Sequence, residues 1–141
     1  MKKKYQKFHI SVKGLIKCSN KFLLLQENDG LWEAPGGRVD EGEILKESLI
    51  RELGEELNLK LSEENINDLV GIDQRYDYKL GNGWALMTFF YEISLKDNFE
   101  VSLSDEHIAF VWVNKETDLS KFEFKNSNQR GIFENFKNRL L

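Results

Sequence analysis

Gly36-Gly37-Arg38-Val39-Asp40-Glu41-Gly42-Glu43, and after a seven-residue gap Arg51-Glu52-Leu53-Gly54-Glu55-Glu56-Leu57-Asn58-Leu59, is the stretch that decides this chain. The second part reads as a helix, entered through the glycine turn of the first. At about 100° per residue, Glu55, Glu52 and Glu56 fall within an arc of roughly 100°. Glu52 and Glu56 are also an i,i+4 pair of like charges, which costs an isolated helix about 0.2–0.5 kcal/mol. A fold that needed only a helix would not crowd three carboxylates in this way. A divalent cation converts that repulsion into a binding site.

Leu49, Ile50, Leu53 and Leu57 cluster on the other side of the same helix, the pattern of a core-facing stripe. One side packs and the other is reserved for acid. Asp40 with Glu43 three residues on has capping-box spacing and predicts the helix start. Asn58 predicts the stop, because asparagine tolerates the left-handed conformation that ends many helices. Pro35, the only proline, closes the preceding extended segment, and Gly36 and Gly37 allow a tight turn and close approach to a ligand.

Gly37, Glu43, Arg51, Glu52, Glu55 and Glu56, with aliphatic Leu53 and Leu59, resemble the Nudix box, G-x5-E-x7-R-E-U-x-E-E-x-G-U, where U is aliphatic. The one departure is Asn58 in place of the last glycine, a swap that preserves the helix end. The lead-in Gly30-Leu31-Trp32-Glu33-Ala34-Pro35 is similar to the family's usual approach to the box. Two fixed gaps plus these identities make a far more specific signal than a short glycine motif. The competing interpretation is a solvated acidic helix face, the usual meaning of a charge cluster; chance rarely supplies the gaps and the glycine turn together.

The chain's 141 residues suit one domain, 1–141, with the box at 37–59. With 40% hydrophobic and 12% aromatic residues it is expected to pack rather than remain disordered. A net charge of −4 argues against nucleic acid as a partner, which favours a basic footprint. Cys18 is the only cysteine, so no internal disulfide forms, consistent with a reducing cytoplasm. Lys2, Lys3 and Lys4 are not followed by a signal-peptide apolar run, and no segment approaches the ~18–20 apolar residues that span a membrane. A cytoplasmic protein is expected; the sequence leaves a homodimer open.

Alternation from Phe8 to Lys17 predicts a half-buried strand, with Phe8, Ile10 and Val12 facing one way and His9, Ser11 and Lys13 the other. Phe22–Leu25 predicts a buried strand paired with it across a Ser19-Asn20 turn. Strands are expected at Val70–Tyr78, Trp84–Leu95 and Ile108–Val113, the first two joined at Gly81-Asn82-Gly83. Ile132, Phe133, Phe136 and Leu140 have helical spacing after Asn126 or Ser127 as caps. The expected class is α/β, a mixed sheet covered on both faces; the Nudix resemblance implies the same, an α/β/α sandwich.

Magnesium takes oxygen ligands and commonly uses one or two carboxylates plus substrate phosphates, which suits Glu52, Glu55 and Glu56. The resemblance implies hydrolysis of a nucleoside diphosphate joined to another group, with Mg2+ or Mn2+ held by Glu52, Glu55, Glu56 and the Gly37 carbonyl, while Arg51 orients Glu52. The general base stays open between Glu52, chosen by motif position, and Glu106, which precedes a strand; a loop carboxylate capping local backbone is an equal account of Glu106. His107 and Cys18 are read as structural. Arg38 is a candidate phosphate contact, at parity with a solvated arginine. Tyr76, Tyr78 and Trp84 are candidates for stacking a base, although aromatic pairs stabilise sheets without a ligand. Trp32 is read as a packing residue, and Phe8, Phe22, Phe89 and Phe90 as core. The leading function is a metal-dependent pyrophosphohydrolase of a small nucleotide substrate. The alternative is a catalytically silent nucleotide-binding module, disfavoured because it need not retain the complete set Arg51, Glu52, Glu55 and Glu56. Action on the 5′ end of RNA is disfavoured by the acidic balance.

Overall fold

The computed structural model describes residues 2–76 and 82–141. In chain order its elements are β1 (Phe8–Cys18), β2 (Lys21–Glu27), β3 (Trp32–Glu33), β4 (Gly36–Arg38), α1 (Leu45–Leu57), β5 (Ile66–Arg75), β6 (Ala85–Ser94), β7 (His107–Val113) and α2 (Gln129–Asn138). Single 3-10 turns occupy Glu63–Asn65 and Leu119–Lys121. The strands form one mixed sheet in the order β3-β2-β1-β6-β5, with β4 added to β1 and β7 to β2. β1 is central: it runs parallel to β6 from Phe8↔Ala85 to Lys17↔Ser94 and antiparallel to β4 at Ser11↔Arg38.

Alternating apolar residues on the strands feed two separate cores. Val12, Ile16, Leu23, Leu25 and Ile93 meet Leu49, Leu53 and Leu57 of α1. On the reverse face, Leu15, Phe22, Leu24 and Phe90 meet Phe133, Phe136 and Leu140. There the rings interlock edge-on, Phe22 with Phe136 at 5.1 Å and Phe90 with Phe133 at 5.9 Å, an arrangement the aromatic quadrupole favours. The result is the expected α/β/α sandwich.

The helix stop is as read: Asn58 is left-handed at φ 52°, its N–H donating to Gly54, and Leu59 N–H donates to the Leu53 carbonyl. The helix start differs. α1 begins at Leu45, with Ile44 at the cap position and no side-chain cap. Asp40 and Glu43 close a turn ahead of the helix instead, with Asp40 N–H donating to Glu43 Oε1 at 2.9 Å. The capping-box spacing was real, but Glu43 is drawn to Arg51 and the turn forms without entering the helix.

β1 is not half-exposed, because α2 covers its second face and Ser11 is buried. β2 pairs with β1 only beside the turn, at Lys17↔Phe22 and Cys18↔Lys21; Ser19 and Asn20 there both have positive φ, as a tight hairpin turn requires. Of the four phenylalanines expected in the core, Phe22 and Phe90 are fully buried, and Phe8 and Phe89 partly so. β5 starts at Ile66, earlier than Val70, and runs to Arg75; Tyr78 and Gly81 lie outside the described residues. Neither Asn126 nor Ser127 caps α2. Asn128 takes that position, and Asn126 turns its side chain to Asp73. Among the described residues, no helix is long and apolar enough to cross a membrane.

Candidate active site

The glycine turn is where β4 passes beneath α1. Gly36 has φ +142°, and a Cβ there would meet the Val12 carbonyl at 2.1 Å, so only glycine fits. A Cβ on Gly37 would sit 2.5 Å from the Glu52 carboxyl, which therefore packs directly on this backbone. Gly36 N–H donates to Glu56 Oε2 at 3.2 Å, and Lys13 Nζ donates to the Gly36 carbonyl at 3.3 Å. The turn is thus clamped between the helix and the central strand.

Arg51 organises the acidic side of α1. Its guanidinium forks onto Glu43 at 2.8 and 2.9 Å, reaches Glu52 Oε1 at 3.0 Å, and donates to the Arg38 carbonyl at 3.0 Å. The i+4 contact to Glu55 is longer, at 3.4 Å. Glu43, not Glu55, is therefore its principal partner. This bidentate pair, with the Ser48 hydroxyl and Asp40 N–H, holds the Glu43 carboxyl down to about 2. The same contacts raise Arg51 above its ordinary value.

The three box glutamates are not equivalent. Glu56 is only 8% exposed, Glu52 is half-buried, and Glu55 faces solvent. Burial pushes Glu56 up to about 7, despite the opposing pull of Lys13 and the Gly36 N–H. Burial also raises Glu52, partly offset by Arg51. Across from them, the loop before β7 brings Ser104, Asp105 and Glu106 to the other wall of a cleft of about 250 Å3. Ser104 N–H donates to the Glu56 carbonyl at 3.2 Å and ties this loop to the helix. Hard oxygen donors from two elements converge there, and burial disfavours the charge on two of them. That donor set fits a divalent cation that takes oxygen ligands.

Below the cleft lies a buried chain that sequence reasoning missed. Lys13 Nζ is 2.8 Å from Glu33 Oε1, and Glu33 Oε2 is 3.2 Å from His107 Nε2. Burial alone would raise Glu33, but Lys13 and the His107 hydrogen bond outweigh it and hold the carboxyl far below its usual range. For His107, burial is outweighed by the Glu33 bond and the ring is raised. Glu27, Glu33 and His107 place ligand-type atoms within 4.8 Å of one another. Lysines already supply the positive charge there, Lys13 to Glu33 and Lys125 to Glu27. His107 is itself buried, and its Nδ1 has no hydrogen-bond partner. No spacing in the sequence joins Lys13 to Glu33 or Glu33 to His107, so no signal could have found this chain.

A second cavity, of about 160 Å3, opens on the α2 side of the same turn. Gly37, Arg38, Lys13, Glu33 and Lys125 line it together with Ser11, Arg75, Leu86, Thr88 and Gln129. Arg38 lines this cavity beside Gly37. Tyr76 and Trp84 line neither cavity. Tyr76 is exposed beside Phe8 at 6.2 Å, and Trp84 packs on His9 at 4.8 Å with Lys7 over its ring. Trp32 packs edge-on against Phe122, and Cys18 is buried at the end of β1.

Comparison with known proteins agrees with this arrangement. A family model described as NUDIX domain matches residues 7–136. The chain is 34% identical over 107 residues to the mouse (Mus musculus) bis(5'-nucleosyl)-tetraphosphatase [asymmetrical], covering 74% of this chain and 71% of that protein. Over a shorter stretch of 44 residues, 31% of each chain, it is 48% identical to a Mycobacterium tuberculosis protein named putative 8-oxo-dGTP diphosphatase 2. The crystal structure of a MutT protein from Methanosarcina mazei Go1 superposes with a TM-score of 0.76 at 28% identity, covering 96% of this chain and 97% of the other. With the box residues clamped around one acidic cleft and the match running through nearly the whole sheet, the chain belongs to the Nudix family of pyrophosphohydrolases.

Proposed function

We propose that this chain hydrolyses a pyrophosphate link in a nucleoside triphosphate or in a nucleoside diphosphate joined to another group, with Mg2+ or Mn2+ as cofactor. The observation that carries this is the cleft itself, where Glu52, Glu55 and Glu56 face Glu106 and burial raises two of the carboxyls. Glu52, Glu55, Glu56 and the Gly37 carbonyl would hold the ion. When bound, it neutralises diphosphate charge and makes an attacking water more acidic.

The protein's own residues do the positioning. Arg51 fixes Glu52 through the 3.0 Å contact and is itself fixed by Glu43. Arg38, which lines the second cavity beside Gly37, would meet a phosphate. Glu52 and Glu106 are the two carboxylates that can accept the water's proton: one rests on the glycine turn, the other stands exposed on the opposite wall.

Formation of mononucleotide and its phosphorylated co-product is to be measured by chromatography over a panel of nucleoside triphosphates, dinucleoside tetraphosphates, nucleotide sugars and ADP-ribose, with and without magnesium. The first two classes are included because two relatives carry names of that kind. Binding without turnover across the panel would favour the silent module. Glu52→Gln is expected to lower turnover at least ~10²-fold with metal-free folding intact. Of Glu52→Gln and Glu106→Gln, the variant that removes the acidic limb of the pH–rate profile identifies the base.

A further inference from the structure

Four strands place Arg38, Ser11, Thr88 and Asp73 in one lateral row: Ser11 pairs with Arg38 and with Thr88, and Thr88 with Asp73. Directly paired residues share a face of the sheet, here the face of Leu15 and Phe90 that α2 covers. Ser11, Thr88 and Asp73 are all at most 5% exposed, and Asn126 and Gln129 join them from the start of α2. A core that needed only filling would not gather five buried polar side chains. Ser11 and Thr88 satisfy each other, hydroxyl to hydroxyl, at 2.7 Å.

The other three are arranged differently. Asp73 Oδ2 accepts from Asn126 Nδ2 and, at 3.5 Å, from Gln129 Nε2. A carboxylate accepts and does not donate, so it fixes which way round both amides lie. With its NH2 turned to Asp73, Gln129 has its carbonyl oxygen left to offer. Gln129 lines the 160 Å3 cavity together with Leu86, Ser11 and Thr88. The cavity therefore holds one leucine, a hydroxyl pair and an acceptor among the charged side chains of Lys13, Glu33, Arg75 and Lys125, with Gly37 and Arg38 of the box in the same lining.

We propose that this cavity reads the nucleobase, and that the Asp73–Gln129 pair selects a base carrying an exocyclic amino group over its oxo counterpart. The proposal rests on the acidic cleft being the pyrophosphate site. An amino group donates to the Gln129 carbonyl. An oxo group in the same place sets two acceptors against each other and leaves both without a partner, the kind of mismatch that polar pockets reject most strongly.

The test is calorimetric affinity, in magnesium, for the α,β-methylene analogues of CTP against UTP and of ATP against ITP. Neither pair needs turnover, and the members of each differ by amino for oxo and by the proton this exchange places on the adjacent ring nitrogen. The wild type is expected to prefer the amino member of at least one pair by about tenfold or more. Gln129→Met, which keeps the size and removes the acceptor, is expected to bring that ratio within about threefold of unity while leaving affinity for inorganic pyrophosphate unchanged. Asp73→Asn, which frees the amide to turn, should do the same. Equal affinities within both pairs, or a preference that survives Gln129→Met, would overturn the proposal. Absence of hydrolysis of any natural nucleotide would instead strike the pyrophosphohydrolase reading, and the affinity ratios would still decide this one.

Discussion

Burial pushes the Glu56 carboxyl up to about 7 from an ordinary 4.5. Because the folded value lies above the unfolded one, the folded state prefers the proton. That contribution to stability is complete below about pH 4.5 and is lost as the pH rises through 7, amounting to about 3 kcal/mol at pH 8. In metal-free buffer, Glu56→Gln is therefore expected to be more stable than wild type at pH 8 and equal to it near pH 4.5, by urea unfolding at each pH. Added magnesium should narrow the pH 8 gap, because it stabilises only the chain with the full carboxylate set. Gly37→Ala addresses the neighbouring contact. Its methyl would enter the space of the Glu52 carboxyl, which can swing away at the flexible end of its side chain. The melting temperature should change by a few degrees at most, while turnover falls on the order of 10²-fold, as it does when a catalytic group is displaced by about 1 Å.

At the scale of elements, α1 is held at both ends by devices other than an N-terminal side-chain cap. Its start is tied by the Arg51–Glu43 fork to the turn before it, and its end by left-handed Asn58. Asn58→Gly is expected to alter unfolding free energy by less than about 1 kcal/mol, since both residues accept that conformation; a larger loss would reveal a side-chain role for Asn58. The box residues, the apolar stripe of α1 and this stop were legible because each depends on neighbours within a few turns of chain. Glu43 shows where local reading ends. Its spacing to Asp40 is that of a cap, yet the stronger demand of an arginine eight residues on decides its place. Asn126 repeats the lesson over a longer reach, its side chain taken by Asp73, 53 positions away. The Lys13–Glu33–His107 chain and the row Ser11–Thr88–Asp73 exist only once strands are laid side by side, and no periodicity within one segment encodes that register.

For the whole molecule, the sheet separates two functions by face. The α1 side carries the acidic cleft; the α2 side carries an aromatic core beside a buried polar row. Phe133 is the hub of that second core, fully buried and in ring contact with Phe22, Phe90 and Phe124. Phe133→Ala is expected to cost about 3–5 kcal/mol in chemical denaturation. It should also loosen the start of α2 and with it the placement of Gln129, so the affinity for nucleotide falls more than the affinity for pyrophosphate.

The parallel pairing of β1 with β6 has a consequence for how this protein is made. Ser11 finds its hydroxyl partner 77 positions later, and the central strand has no long neighbour until that later segment arrives. Closing so wide a loop is slow compared with forming a helix or a hairpin. On the ribosome, the glutamate-bearing helix emerges well before the strand that completes the platform beneath it. Catalytic competence therefore arrives late and all at once, and a chain interrupted before residue 85 would carry the whole signature motif without a floor to set it on.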